Sequence, residues 1–120
     1  MTDTAVQVAA AYFEAWRTKD FAALRELLAD DVTFEGPLGR AAGADECLKG
    51  LEGMGRLAQD LVVQRMAGAG TDVLTWFDLH TNVTDPFPVT NWSRVENGRI
   101  TRVRATFDPR ALLAALEPRD

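Results

Sequence analysis

The spacing of apolar positions changes once along the chain. In residues 3–18 it is helical: Ala5, Ala9, Tyr12 and Trp16 fall on one stripe, with Val6 and Phe13 beside it. Asp3 or Thr4 is the expected N-cap. Asp20 is expected to cap a second, short helix with Leu24, Leu27 and Leu28 facing inward, ended by Asp30-Asp31. "VTFE" (32–35) alternates as a strand does, and "GPLGR" reads as a turn-rich loop. A third helix is expected from about Ala44 to Gln59. It holds Gly50, Gly53 and Gly55, each costing about 1 kcal/mol against alanine in a helix interior. Such glycines point to close packing on a sheet, or to room left for something else.

From residue 61 onward the period is that of strands. "LVVQRMAGAG" leads into "VLTWFDLHTN" (73–82); "TDP" (84–86) turns the chain and "FPVTNWSRV" returns it. "ENG" (96–98) turns it again into "RITRVRATF". Asp108-Pro109 reads as a cap with proline at the first helical position, opening a short helix from Arg110 to Leu116. The order predicts an α+β domain spanning residues 1–120, in which helices interrupted by one strand precede an antiparallel meander.

The "ENG" turn decides which side chains share a face. A two-residue turn pairs Glu96 with Arg99 and puts Asn91 beside Arg104. A three-residue turn with Gly98 left-handed pairs Val95 with Arg99 and puts Asn91 beside Val103. The second sorts the residues better. Phe87, Val89, Asn91, Ser93, Val103, Ala105 and Phe107 then share one face, and Thr90, Trp92, Arg94, Arg102, Arg104 and Thr106 the other.

Composition narrows the function classes. At 47% hydrophobic and 26% charged, the 120-residue chain has the profile of a soluble globular domain. A net charge of −5 argues against general nucleic-acid binding. No apolar run of about 18 residues and no signal-peptide pattern stands out, so no membrane partner is expected. One cysteine, Cys47, and one histidine, His80, make a structural zinc site improbable, and a free thiol suits a reducing, cytoplasmic setting. No cofactor is expected.

The "WFDLH" stretch raises the sharpest question. Asp78 and His80 are two positions apart on a strand and so share a face. Val73, Thr75, Phe77, Leu79 and Val83 make the more apolar row; Leu74, Trp76, Asp78, His80 and Asn82 make the mixed one. Alternation alone turns the mixed row to water. In an apolar pocket, by contrast, burial raises the pKa of a carboxylate and a nearby imidazole lowers it, so such a pair could shuttle a proton near neutral pH.

The residues "AAYFEAWRTKDFAALRELLADDVTFEGPLGRAAG" and "VENGRITRVRATFDPRALL" together resemble the nuclear transport factor 2-like superfamily, in particular its SnoaL-like polyketide cyclase branch. The resemblance spans nearly the whole chain and rests on the order and spacing of its parts. It implies a cone-shaped, cystatin-like roll: a strongly curved antiparallel or mixed sheet wrapped around three helices and an apolar pocket. A homodimer through the outer sheet face goes with it. Similarity to ketosteroid isomerases puts the oxyanion tyrosine at Tyr12, the second oxyanion donor at Asn91 and the general base at Gly36. Similarity to limonene epoxide hydrolases puts one catalytic aspartate at Asp78. In that overlay the arginine partner becomes Trp76, the second aspartate Ala105, and the water-binding tyrosine and asparagine Phe34 and Gly36. The chain therefore matches neither enzyme as those families are built.

Both overlays turn Asp78, Trp76, Asn91 and Tyr12 toward the cavity, the reverse of the facing that alternation gives. The expected catalytic set is Asp78, His80, Tyr12 and Asn91. The expected ligand-binding set is Trp16, Phe34, Met54, Leu57, Met66, Trp76, Val89, Ala105 and Phe107, with Leu51 beside them. The matching function is binding of a small apolar, polycyclic carbonyl compound, with or without proton-transfer chemistry: isomerisation, aldol-type cyclisation or dehydration. Non-catalytic binding of a small molecule in the same pocket, or a dimeric adaptor role of the same fold, is the alternative.

Overall fold

The apolar stripe of the N-terminal segment winds into helix α1 (Thr4–Arg17), whose buried side includes Ala9, Tyr12, Phe13 and Trp16. The chain is seen here as a computed structural model that describes residues 4–117, so the candidate cap Asp3 lies outside the described residues. Helix α2 (Phe21–Leu27) starts where expected: the Asp20 carboxylate accepts the Ala23 backbone N–H at 3.1 Å. It stops short of the expected end at Asp30-Asp31, because Leu28 is already extended and opens strand β1 (Leu28–Gly36). Asp30 and Asp31 therefore lie in a strand.

"GPLGR" is a hairpin rather than a loop: β1 turns into β2 (Gly39–Ala42), with Gly36 opposite Gly39. Helix α3 (Ala44–Gly55) ends before Gln59, and strand β3 (Ala58–Ala69) takes over its expected last turn. Its glycines differ in purpose. A Cβ on Gly55 would meet the Phe21 ring at 3.1 Å, which is close packing, whereas Gly50 and Gly53 face open space. Strands β4 (Asp72–Thr81), β5 (Phe87–Glu96) and β6 (Arg99–Thr106) complete the meander, and α4 (Arg110–Leu116) follows. Asp108 accepts the Arg110 backbone N–H at 3.0 Å, although Pro109 and not Asp108 occupies the cap position.

The six strands run β2-β1-β6-β5-β4-β3, with β1 parallel to β6 and the other neighbours antiparallel. The sheet is open, with β2 and β3 as its edges. Helices α1 to α3 pack on one face, and the core lies between: Leu24, Leu28, Val73, Ile100 and Val103 are almost fully buried there.

The "ENG" turn corrects one expectation and keeps its consequence. Glu96 pairs with Arg99 across a two-residue turn whose Asn97 and Gly98 have φ of 53° and 76°, the left-handed pair that this turn type requires. Asn91 stands beside Ala105, not Val103. The register then slips by one: Val95 faces Ile100 but Arg94 faces Arg102, leaving Thr101 as a bulge. A two-residue turn plus one bulged residue gives the same facing as a three-residue turn. Val89, Asn91, Ser93 and Val103 accordingly point inward and Trp92, Arg94 and Arg104 outward.

Candidate functional site

A cavity of about 260 Å³ lies between α1, α3 and the inner sheet face. Its floor is Phe77 and Leu79 of β4, Val89 and Asn91 of β5, and Ala105 beyond them. Tyr12, Phe13 and Trp16 of α1 form one wall, and Cys47, Leu51 and Met54 of α3 another. The β1–β2 turn, Gly36 to Arg40, borders the remaining side together with Phe34. The Trp16 indole N–H donates to the Leu51 carbonyl at 3.0 Å, fixing α1 to α3 across the cavity. Phe13 touches Phe77 with ring centroids 5.0 Å apart, joining helix to floor.

Polar groups are few. Tyr12 is 2% exposed and Asn91 3% exposed, and both line the cavity. Among the described residues, neither the Tyr12 hydroxyl nor the Asn91 amide makes a hydrogen bond. Burial pushes the Tyr12 phenol well above the ordinary tyrosine range, and the neighbouring Cys47 adds to the shift. Tyr12 is thus a protonated donor at neutral pH. Burial likewise raises the Cys47 thiol, with a contribution from Glu46; its sulfur donates to the carbonyls of Val32 and Ala41 at 3.7 and 3.8 Å. Arg40 is the other ionisable lining residue. It is exposed, and its guanidinium lies 3.6 Å from Glu35.

The structure separates the expected catalytic set. Tyr12 and Asn91 meet at the cavity, whereas Asp78 and His80 stand on the opposite face of the sheet. Strand β4 buries Val73, Thr75, Phe77, Leu79 and Thr81 and leaves the residues between them partly or well exposed. Asp78 accepts a hydrogen bond from the Gln64 side chain at 3.0 Å on that outer face. Trp76 is 49% exposed and does not line this cavity, which corrects its expected role. The physical reason is the pleat: five apolar or uncharged side chains share one face, and burying that row outweighs burying Asp78 and His80.

Of the expected ligand-binding residues, Trp16, Phe34, Leu51, Met54, Val89, Ala105 and Phe107 line the cavity. Leu57 does not, because α3 ends before it and it lies in the turn to β3. Met66 sits instead in a shallow groove between α1 and β3, with Phe13 and Leu61. Phe13, Phe77, Leu79 and Cys47 were not anticipated. Phe77 and Leu79 had a signal, since both belong to the apolar row of β4.

On the outer face Trp92 lies under two arginines, with the Arg102 and Arg104 guanidinium carbons 4.6 and 5.7 Å from its ring centroid. Its indole N–H donates to Asp72 at 3.1 Å. Arg104 also faces Glu35 at 3.6 Å, and Arg94 faces Glu96 at 3.6 Å, so part of the patch's positive charge is offset by carboxylates. No described helix is long and apolar enough to cross a membrane.

Residues 9–103 match the SnoaL-like domain, and the chain belongs to that family. Its fold is the α+β fold of nuclear transport factor 2-like proteins. A crystal structure of a protein from Kribbella flavida DSM 17836 is 29% identical, with TM-score 0.90 over 95% of this chain and 94% of the other. An LEH-like epoxide hydrolase from M. tuberculosis is 25% identical, with TM-score 0.78 over 94% and 89%. A protein from Catenulispora acidiphila DSM 44928 with a ketosteroid isomerase-like fold, in complex with trimethylamine, is 19% identical, with TM-score 0.74 over 90% of each chain. That likeness is one of fold. No curated protein matches the sequence.

Proposed function

We propose that this protein binds a small apolar carbonyl compound in the cavity, with the carbonyl oxygen seated between the Tyr12 hydroxyl and the Asn91 amide. The observation behind this is that pair: two buried polar groups on an apolar wall, each without a protein partner among the described residues. A hydrogen bond contributes about 0.5–1.5 kcal/mol net. A ligand oxygen accepting from both groups would gain two, and the aromatic and aliphatic walls would hold the rest of the molecule.

Volume limits the guest. An apolar cavity of about 150 Å³ holds a benzene molecule, so 260 Å³ suits roughly two fused rings and is small for four. Binding without proton transfer is favoured over catalysis. Among the described residues that line the cavity there is no carboxylate and no imidazole, and Gly36 holds no side chain where the related isomerases have their base. Calorimetric titration with acetylnaphthalene tests the reading: saturable binding weakened by Asn91→Ala supports it, and no binding sinks it.

The same reading takes the outer sheet face as the contact with a second copy. Leu74 and Trp76 are 54% and 49% exposed there, beside the stacked patch at Trp92. The buried free thiol of Cys47 accords with a cytoplasmic setting.

A further inference from the structure

The cavity reaches solvent between the β1–β2 turn and α3. Among the described residues that line it, those exposed are Pro37, Leu38, Gly39 and Arg40, consecutive in the turn, and Gly50 in the middle of α3. The other α3 residues on the cavity differ: Cys47 and Leu51 are buried and Met54 is half-buried. The rim is apolar. Leu38 is 43% exposed, and the Arg40 guanidinium turns to Glu35, which also meets Arg104 on the outer face of the sheet. Glycine in a helix interior weakens the helix relative to alanine. At Gly50 no packing requires it, since a Cβ there would meet nothing within 4 Å. Gly55 is the contrast, its place set by the Phe21 ring, and Gly53 has open space beside it but does not line the cavity.

We infer that this opening is the portal of the cavity, that Gly50 fixes its width, and that the ligand carries an apolar chain which leaves the cavity past Gly50. Two fused rings fill about 260 Å³, so further atoms of the ligand have to pass the rim. The chain is apolar because the rim presents Pro37 and Leu38 to it, while Arg40 is engaged with Glu35. A larger side chain at position 50 would project into the gap. Its Cβ would meet no neighbour, so α3 keeps its place and only the portal narrows. Cys47 lies three residues before Gly50 on the same face of α3 and on the cavity wall. It is the only cysteine of the chain, so its thiol reports passage through the portal. The chain preference rests on the binding reading above; the portal does not.

Two measurements separate them. In the ligand-free protein, N-ethylmaleimide is expected to label Cys47 faster than the chain unfolds. Gly50→Leu is expected to slow the labelling by about tenfold or more, because the thiol is then reached only by local opening of the fold. Gly50→Ala and Gly53→Leu are expected to leave the rate unchanged. In titrations, acetylnaphthalene and a derivative with a butyl chain at the far end of its ring system are both expected to bind the unmodified protein. Gly50→Leu is expected to weaken the butyl compound by about tenfold, the order of an overpacked contact, and to leave acetylnaphthalene unchanged. A labelling rate in Gly50→Leu equal to that of the unmodified protein overturns the portal. If the butyl compound fails where acetylnaphthalene binds, the chain preference is overturned. If neither compound binds, the binding reading fails, and the labelling rates still decide the portal.

Discussion

Phe77 and Asp78 are consecutive in β4 and stand on opposite faces of the sheet: Phe77 meets Phe13 at the cavity floor, and Asp78 meets Gln64 outside. His80, two residues on, shares the outer face, and as the only histidine it can be followed by NMR without assignment. Its ring resonances are expected to stay in place when acetylnaphthalene fills the cavity. Asp78→Asn is expected to change stability by no more than about 0.5 kcal/mol, as for an ordinary surface site. Ligand-dependent movement of the His80 resonances would return this pair to the pocket.

Most of the fold was legible in the sequence, because its signals are local. The stripe of α1, the Asp20 cap, and the Asp108-Pro109 start of α4 depend on residues within a few positions of one another. The face of β4 was legible too, from alternation. Relatives whose active-site aspartate matches Asp78 suggested the opposite face, and that transfer failed because a matched position does not carry its neighbours' chemistry with it. The β1–β2 hairpin and the bulge at Thr101 were hidden for another reason. Both are set by pairing across strands, which no window along the chain contains. The cavity walls were half visible: α1 and β5 contribute as read, whereas Leu57 was misplaced through a helix end that α3 does not reach.

Tyr12 is the chain's only tyrosine, so the tyrosinate absorbance band reports it alone. Free tyrosine ionises near pH 10; in the folded protein the band is expected to stay absent there and to appear only with unfolding. The sign follows from the raised pKa. The unfolded chain loses its phenolic proton first, so the stability associated with this group is complete below about pH 10 and is lost as pH rises toward the folded-state value. Tyr12→Phe is expected to remove this alkaline loss. At neutral pH it should change stability by no more than about 0.5 kcal/mol, because the hydroxyl faces the cavity and holds no protein partner. Ketone binding should weaken in the same variant, and denaturant unfolding beside titration checks both.

Gly36 offers a gain-of-function test. A Cβ there would lie 3.3 Å from the Phe34 ring and 3.7 Å from the Ala105 Cβ, so aspartate fits with a small shift of Phe34. Gly36→Asp is expected to bring deuterium from heavy water into the methyl group of bound acetylnaphthalene, and the unmodified protein is expected not to. Rapid exchange in the unmodified protein would reveal a base that the lining does not show.

The exposed row of Leu74 and Trp76 is expected to bury itself against a second copy. Light scattering coupled to size exclusion should give a dimer mass at micromolar concentration, and Trp76→Glu should give a monomer that still binds ligand. A monomeric mass for the unmodified protein would leave that face without the proposed partner.

The infrared stretch of a bound ketone tests the seat formed by Tyr12 and Asn91 most directly, because a carbonyl that accepts hydrogen bonds vibrates at lower frequency than one in hydrocarbon. Carbonyl-labelled acetylnaphthalene in the cavity is expected to absorb well below its position in hexane. Tyr12→Phe and Asn91→Ala should each recover part of the difference, and the double variant nearly all of it. A bound carbonyl that absorbs where it does in hexane, unmoved by either substitution, would contradict the seat.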